Sequence, residues 1–241
     1  MIVVIAIDAL EFDLVKEFNY ENLKQEFYGK TNISEFSQPR TMVLWSSFMT
    51  GENKEKEIVA KDGKKVNWDY KISLEKTFFS KFNKPKIIDL PGFNYDKAVH
   101  DKSRNLLKNY FETESSEEKK KILQEYNKDA MYHHKTVREE FLTAIENDYD
   151  FILGYFSAID VIGHLNFGNK LLMKMLYKEM DEITAIVRKK TDKIFVLSDH
   201  GMIAIGNFGD HSTHGFWSTN FKELNNPKIT DFAKIISGLK K

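Results

Sequence analysis

Short apolar runs separated by longer amphipathic stretches are the main pattern along this chain. The six residues IVVIAI, at positions 2–7, carry no polar side chain, which is typical of a central strand in a parallel sheet. Similar runs occur as KIID at 86–89, FILGYF at 151–156 and IFVLS at 194–198. The pattern therefore predicts at least four strands that are buried on both faces.

The stretches between these runs have helical periodicity. Residues 115–147 begin with a capping box, Ser115 with Glu118, and then place apolar side chains three or four positions apart, which predicts one helix or a pair. Residues 169–189 predict another amphipathic helix, whereas the polar stretch 52–75 predicts a loop with a short hairpin. Strands that alternate with helices predict an α/β fold, with a mostly parallel central sheet and helices on both faces.

Length and composition narrow the class of protein. With 241 residues, the chain suits a single domain over 1–241 without a large cap domain. Lys plus Arg balance Asp plus Glu at 36 each, which indicates no general attraction to nucleic acid or to an acidic membrane. Cysteine is absent, so disulfides and thiolate metal ligands are excluded.

The N-terminal MIVVIAID lacks a basic region and no apolar run reaches membrane-spanning length, so we predict a cytoplasmic protein without a membrane partner. The sequence does not decide the oligomeric state, and a homodimer is one possibility.

Acidic residues follow three of the predicted strands. Asp8 ends the first strand, Asp160 comes shortly after the third, and Asp199 ends the fourth. Ligands of open parallel sheets bind beyond the carboxyl ends of the strands, so these carboxylates are expected at one edge. Three carboxylates there would repel one another and raise some of their pKa values, unless a cation lies among them.

Histidines accompany these carboxylates. His164 comes four residues after Asp160, His200 follows Asp199, and the segment DHSTHG supplies His211 and His214. Nitrogen and oxygen donors without sulfur suit zinc, with manganese as a second choice. Each motif has an ordinary explanation when taken alone: Asp8 could cap a helix, SDHG could be a turn, and DVIGH could form a surface pair. The gathering of four such segments at one sheet edge favours a metal site.

In order along the chain, these motifs resemble those of the type I phosphodiesterase/nucleotide pyrophosphatase family of the alkaline phosphatase superfamily. The family carries a strand-ending Asp, a Thr or Ser nucleophile nine residues before Thr-Gly, then Asp-x-x-x-His, Asp-His-Gly and a final His-Gly. The matching positions here are Asp8, Thr41 with Thr50-Gly51, Asp160 with His164, Asp199-His200-Gly201 and His214-Gly215. The resemblance implies an alkaline phosphatase-like three-layer sandwich.

The resemblance also implies two divalent metal ions, zinc or manganese, and a reaction through a phosphothreonine at Thr41. One ion would be held by Asp160, His164 and His214, with His211 as the rival for the third position. The other would be held by Asp8, Asp199, His200 and the Thr41 oxygen. His214 is preferred because the family's ligand is followed by Gly.

Three further expectations concern Thr41, Arg40 and the substrate. Thr41 heads a predicted helix, so it could be a plain N-cap or a nucleophile at the positive end of the helix, and we favour the nucleophile. Arg40 could clamp a phosphate oxygen or could simply cover the sheet edge. The substrate is expected to be a small phosphodiester. A phosphomonoester, or a weakly active relative that only binds phosphorylated ligands, is the alternative.

Three histidines are left outside the predicted site. His100 falls in a polar stretch that predicts a loop, while His133 and His134 fall in the amphipathic helix. We therefore expect surface or helix-face roles for them.

Overall fold

A mixed six-stranded sheet forms the centre of the computed structural model, which describes residues 1–240. The strands found in this part of the chain are β1 (Ile2–Ile7), β2 (Phe27–Asn32), β3 (Pro85–Ile88), β4 (Phe151–Phe156), β5 (Ile194–Ser198), β6 (Met202–Ile205), β7 (Phe208–His211) and β8 (His214–Thr219). The order across the main sheet is β2-β8-β5-β1-β4-β3, and β6 with β7 forms a separate hairpin. β1, β3, β4 and β5 run parallel, whereas β8 is antiparallel to both of its neighbours.

Alternation of side chains along the central strands divides the interior into two cores. On β1, Val4 and Ala6 face one core, while Val3 and Ile5 face the other. All six β1 residues are buried, because both faces of the sheet are covered. This explains why the strand contains no polar side chain.

Helices cover both faces of the sheet. They are α1 (Phe12–Phe18), α2 (Glu21–Lys24), α3 (Thr41–Thr50), α4 (Glu55–Ile58), α5 (Lys97–Glu112), α6 (Ser116–Ile145), α7 (Ala158–Asn166), α8 (Lys170–Arg188) and α9 (Asp231–Ser237). α3 and α9 pack on one face, and α6, α7 and α8 pack on the other. The predicted three-layer α/β architecture with a mostly parallel sheet is thereby confirmed.

Several local predictions can be compared with these elements. The Ser115 side chain accepts a hydrogen bond from the Glu118 N–H, which is the N-cap half of the predicted capping box, and α6 is one continuous helix. The 52–75 stretch contains α4, and its expected hairpin is limited to one bridge between Val59 and Val66. The loop predicted around His100 is wrong: this residue lies in α5 and is buried.

The sequence pattern missed four strands. β2, with the sequence FYGKTN, and β8, with HGFWST, mix polar and apolar side chains, and β2 lies at the edge of the sheet. β6 and β7 form a largely exposed hairpin. None of them carries the continuous apolar signal of a strand that is buried on both faces.

The carboxyl ends of the parallel strands meet at one edge of the sheet. Asp8 follows β1, Asp199 follows β5, and Asp160 lies in the first turn of α7 just after β4. Asp89 follows β3. The parallel topology thus delivers four aspartates from distant parts of the sequence to one edge.

Candidate active site

His200 is the centre of the first group of donors at this edge. Its Nε2 atom lies 3.3 Å from Oδ1 of Asp8 and 3.4 Å from Oδ2 of Asp199. The hydroxyl oxygen of Thr41 lies 3.3 Å from the same nitrogen. His200 and Asp199 have no exposed surface, so SDHG is a buried segment and not a surface turn.

Asp160, His164 and His211 form the second group. Oδ1 of Asp160 lies 3.4 Å from Nε2 of His164 and 3.4 Å from Nε2 of His211. The two imidazole nitrogens are 3.3 Å apart. Asp160 and His164 lie one turn apart on α7, as the spacing predicts. The His211 ring stacks on the His200 ring at a centroid distance of 3.9 Å, so the two groups adjoin.

The spacing of these donors fits divalent cations. Donors about 2.0–2.1 Å from a tetrahedral zinc ion are separated by about 3.3–3.4 Å, which is the spacing found in both groups. Several buried carboxylate oxygens here also lack any hydrogen-bond partner among the described residues: Asp8 Oδ1, Asp160 Oδ1 and both oxygens of Asp199. Buried oxygens without a donor are costly, and coordination would satisfy them.

The electrostatics of the first group also favour a bound divalent cation. Burial, followed by the charge of Asp160, raises the pKa of Asp8 to about 7. Burial and then the neighbouring Asp8 raise the pKa of Asp199 well above its usual value. Burial, followed by the charge of His211, lowers the pKa of His200 to about 3, so its ring is neutral and able to act as a ligand. Burial therefore disfavours the ionised forms of Asp8 and Asp199, and a bound cation would offset this cost.

The second group is stabilised by the attraction between the Asp160 carboxylate and the two imidazoles. Burial opposes ionisation of Asp160, but the charge of His164 and the close approach of both imidazoles outweigh it and hold the pKa of Asp160 well below its usual value. The reciprocal attraction of Asp160 overcomes burial and raises the pKa of His164 to about 9. A divalent ion would replace the ring protons, because metal-bound histidine must be deprotonated.

Thr41 is the first residue of α3 and not its cap. The N-cap position is occupied by Arg40, whose side chain makes no capping bond, and the Thr41 hydroxyl contacts His200 instead. The plain N-cap explanation of Thr41 therefore does not describe the structure. The hydroxyl lies at the N-terminal end of a ten-residue helix and faces the first donor group.

His214, the ligand that sequence reasoning preferred, lies elsewhere. It is the first residue of β8, and its Nε2 atom is 3.2 Å from Oε1 of Glu11. His211 occupies the place beside Asp160 and His164, because it ends β7, which packs against α7. The following Gly, on which the preference rested, is required by packing: a Cβ on Gly215 would lie 2.1 Å from the Ser198 carbonyl oxygen.

Glu11 is a supporting residue that sequence reasoning missed. Besides His214, its carboxylate accepts hydrogen bonds from the N–H groups of Asp13 and Met202. These contacts tie the start of α1 to the segment that follows His200. Two of them come from residues about 200 positions away, so no local signal could reveal them.

Arg40 does not point into the site. Its guanidinium donates to the Gln38 side chain, with Nε 3.0 Å from the oxygen, and to the Gly63 carbonyl. Arg40 is also not among the residues that line the neighbouring cavity. These contacts hold the guanidinium against Gln38 and Gly63, and a role of Arg40 in binding phosphate stays a prediction.

A cavity of about 200 Å³ opens beside Thr41. Thr41, Asp8 and Asp160 line one side of it, and Trp68 and Arg104 line another. The Arg104 guanidinium lies over the Trp68 ring at 3.9 Å from the ring centroid. Neither residue was predicted, although a Trp within the polar stretch 52–75 was an available signal. The cavity is smaller than the pockets of about 300–1,000 Å³ that bind drug-sized ligands.

A family model matches the chain over residues 2–223, and its description is "Type I phosphodiesterase / nucleotide pyrophosphatase". The chain belongs to this family. The order of its motifs predicted this family, whose description names enzymes that act on phosphoric esters. The match includes the candidate site from Asp8 to His214.

Solved structures of a family member resemble the chain at low sequence identity. Murine ectonucleotide pyrophosphatase/phosphodiesterase 5 aligns with a TM-score of 0.47 and 13% identity over 85% of this chain. An inactive variant of the same murine protein, in complex with AMP, aligns with a TM-score of 0.46 and 12% identity. Both alignments cover 58% of the murine chain, so this chain spans little more than half of that protein's length. No curated protein matches the sequence.

The membrane prediction can be compared with the helices. Within residues 1–240, no helix combines the length and the apolar character needed to cross a bilayer. The cytoplasmic location stays a prediction.

Proposed function

We propose that this family member is a two-metal phosphodiesterase in which Thr41 is the nucleophile. The observation that carries the proposal is the position of the Thr41 hydroxyl, 3.3 Å from Nε2 of the buried His200, among carboxylate oxygens that lack partners. A threonine hydroxyl is a weak nucleophile unless its surroundings favour the alkoxide.

The two donor groups would each hold one divalent ion. Asp160, His164 and His211 would hold the first, with His211 in place of His214. Asp8, Asp199 and His200 would hold the second, together with the Thr41 oxygen. When bound, such ions favour the alkoxide and neutralise the charge of the phosphoryl group. The donor set, with nitrogen and oxygen but no sulfur, supports zinc, with manganese as the second choice.

The chain itself supplies the nucleophile and part of the phosphate site. The Thr41 oxygen gives up its proton and attacks phosphorus, and the P–O bond to the leaving alcohol breaks as that alcohol takes up a proton. The resulting phosphothreonine, which keeps the second ester group of the substrate, is then hydrolysed by water to a phosphomonoester and free Thr41. The first backbone N–H groups of α3, at Met42 and Val43, have no partner within the helix and would donate to phosphoryl oxygens. Attack at the positive end of this helix lowers the cost of the developing negative charge.

The charges around the cavity favour a diester over a monoester. Among the described residues that line it, Arg104 is the one permanently charged cation, and Asp101 pairs with it. A monoester dianion carries an extra charge that this wall offers little to balance. The proposed substrate is therefore a small phosphodiester with one negative charge.

The test compares two aryl esters. Metal-stripped protein is assayed on bis(p-nitrophenyl) phosphate and on p-nitrophenyl phosphate, with Zn²⁺ or Mn²⁺ added back. We expect metal-dependent turnover with a higher kcat/KM on the diester. Faster monoester turnover would make the chain a phosphatase, and binding of metal without turnover of either ester would favour a weakly active binding protein.

Variants of α3 test the nucleophile. Thr41→Ala should lower kcat by about 10³-fold or more, because it removes the hydroxyl that contacts His200, whereas Thr41→Ser should retain part of the activity. Thr50→Ala is the matched control, since Thr50 ends the same helix and its hydroxyl bonds only to nearby backbone atoms. Equal activity of the Thr41→Ala and Thr50→Ala variants would exclude Thr41 as the nucleophile.

A further inference from the structure

A second set of metal-binding side chains lies at the same edge of the sheet, outside the proposed catalytic groups. Asp89 follows β3, His100 lies in the first turn of α5, and His133 lies in the middle of α6. We refer to these three residues as the outer His–Asp cluster. They are separated by 11 and 33 positions along the sequence, and only the tertiary fold brings them together.

Both imidazoles converge on a single carboxylate oxygen. Oδ2 of Asp89 lies 3.1 Å from Nε2 of His100 and 2.7 Å from Nε2 of His133. The two rings are nearly perpendicular, at 83°, with centroids 5.3 Å apart. The side chains are 7–12% exposed, so all three donor atoms are withdrawn from bulk water.

The Asp89 carboxylate is oriented by the backbone around it and by the N–H group of Asp96. Asp89 has a φ of 58°, in the left-handed region that residues other than glycine seldom adopt. Its other oxygen, Oδ1, accepts a hydrogen bond of 2.7 Å from the Asp96 N–H. This bond fixes one oxygen and leaves the other facing the two rings, as in carboxylate ligands that are oriented by a neighbouring donor.

The charge of this carboxylate is not balanced by a permanent cation. Within the described residues, no Lys or Arg nitrogen lies within 4.0 Å of Asp89. Burial alone would raise its pKa, but the hydrogen bonds and charges of His100 and His133 lower it to about 2, so it is ionised in the physiological range. A buried carboxylate needs either an imidazolium or a metal ion beside it.

From this geometry we propose that Asp89, His100 and His133 form a third divalent-cation site, selective for zinc-like ions and separate from the catalytic pair. Two nitrogens and one oxygen are a donor set that zinc accepts with a fourth position open. His100 also lines the cavity beside Thr41, which gives the ion a path of entry. The site would bind its ion whether or not Thr41 is a nucleophile.

Metal binding must displace two protons and move one ring. Each Nε2 donates its proton to Asp89 in the hydrogen-bonded form. Ligation through Nε2 requires this proton to leave, to Nδ1 in a neutral ring and to solvent in an imidazolium. Ligands of a tetrahedral zinc ion are about 3.3 Å apart, so His133, now 2.7 Å from Asp89, must withdraw by about 0.6 Å. Because protons compete with the ion, its affinity should fall as the pH is lowered.

The experiment counts and locates zinc. Protein stripped of metal is loaded with Zn²⁺, its metal content is measured after gel filtration, and crystals are examined by anomalous scattering at the zinc edge. We expect an anomalous peak among the three side chains, and Asp89→Asn or His133→Gln should each lose about one equivalent of zinc. His134→Gln is the control, because His134 is the next residue in α6, is also buried and faces Glu179 instead.

A second pair of variants separates this site from the catalytic one. Asp160→Asn and His211→Gln should lower zinc bound at the catalytic groups and leave the third peak in place. If the catalytic peaks are present and no peak lies at Asp89, the outer cluster is only a hydrogen-bonded group and the proposal is overturned. If the third peak alone is present, the proposed catalytic metals fail and this site stands.

Discussion

The donor groups that we propose to be catalytic and the outer His–Asp cluster both combine Asp and His at the same sheet edge, yet their geometry differs. In the catalytic groups, the donor atoms of Asp160, His164 and His211 lie 3.3–3.4 Å apart. In the outer cluster, His133 and His100 lie 2.7 and 3.1 Å from Asp89. The first spacing is that of ligands around an ion, and the second is that of hydrogen bonds.

The two sets also differ in how many of their carboxylate oxygens accept hydrogen bonds. Asp8, Asp160 and Asp199 have carboxylate oxygens without partners among the described residues, whereas both oxygens of Asp89 accept hydrogen bonds. The catalytic groups therefore carry an unfavourable free energy that metal would relieve. The outer cluster is stable without metal, so we expect its ion to bind more weakly and with a stronger dependence on pH.

The largest expected difference between two variants in this comparison is in kcat/KM, between His211→Ala and His214→Ala. His211→Ala should lower kcat/KM by at least about 100-fold and weaken zinc binding, because the ring completes a ligand group. His214→Ala, which removes only a partner of Glu11, should have a clearly smaller effect. Kinetics and zinc titration of the two variants provide the measurement, and a larger loss in His214→Ala would reinstate the ligand preferred from the sequence.

An intermediate effect concerns stability with and without metal. Chelation should lower the free energy of unfolding by about 4 kcal/mol if zinc is initially present at about 1,000 times its Kd. For a chain of this length, that corresponds to a fall in Tm of about 10 °C. Thermal unfolding with EDTA and with Zn²⁺ measures the change.

The change that Asp199→Asn causes in the free energy of unfolding should have opposite signs with EDTA and with Zn²⁺. With EDTA, the variant should be more stable than the natural chain, because it removes a buried carboxylate that burial and Asp8 disfavour. With Zn²⁺ it should be less stable, because a ligand is lost. Asp148→Asn, at a carboxylate whose side chain is 94% exposed, is the control and should show no such reversal. A variant less stable in both conditions would argue that Asp199 has a packing role only.

The smallest effect tests the charge of the outer cluster. The folded-state pKa of Asp89 is about 2, below its ordinary value of 3.8, so its stabilisation is present above pH 3.8 and is lost as the pH falls towards 2. The difference corresponds to a contribution on the order of 2 kcal/mol. In urea unfolding with EDTA, Asp89→Asn should therefore cost more at pH 6 than at pH 3. An equal cost at both pH values would show that Asp89 is not ionised beside the two imidazoles.

The sequence by itself determined the strands that carry the site. Runs such as IVVIAI and FILGYF must be buried on both faces, so their apolar pattern is local and readable. The same pattern places Asp8 and Asp199 at strand ends, and the i to i+4 spacing of Asp160 and His164 places both on one helix face. The family followed from the order of these motifs.

Only the tertiary structure placed His211 beside Asp160 and His214 beside Glu11, although the two histidines lie three residues apart in one polar segment. The choice depends on the β6–β7 hairpin, which packs His211 against α7, and on β8, which turns His214 towards Glu11. The outer His–Asp cluster also depends on packing, because α5 and α6 must meet beside the end of β3. Contacts between distant segments leave no periodic signal in the sequence, and their formation depends on how the elements pack.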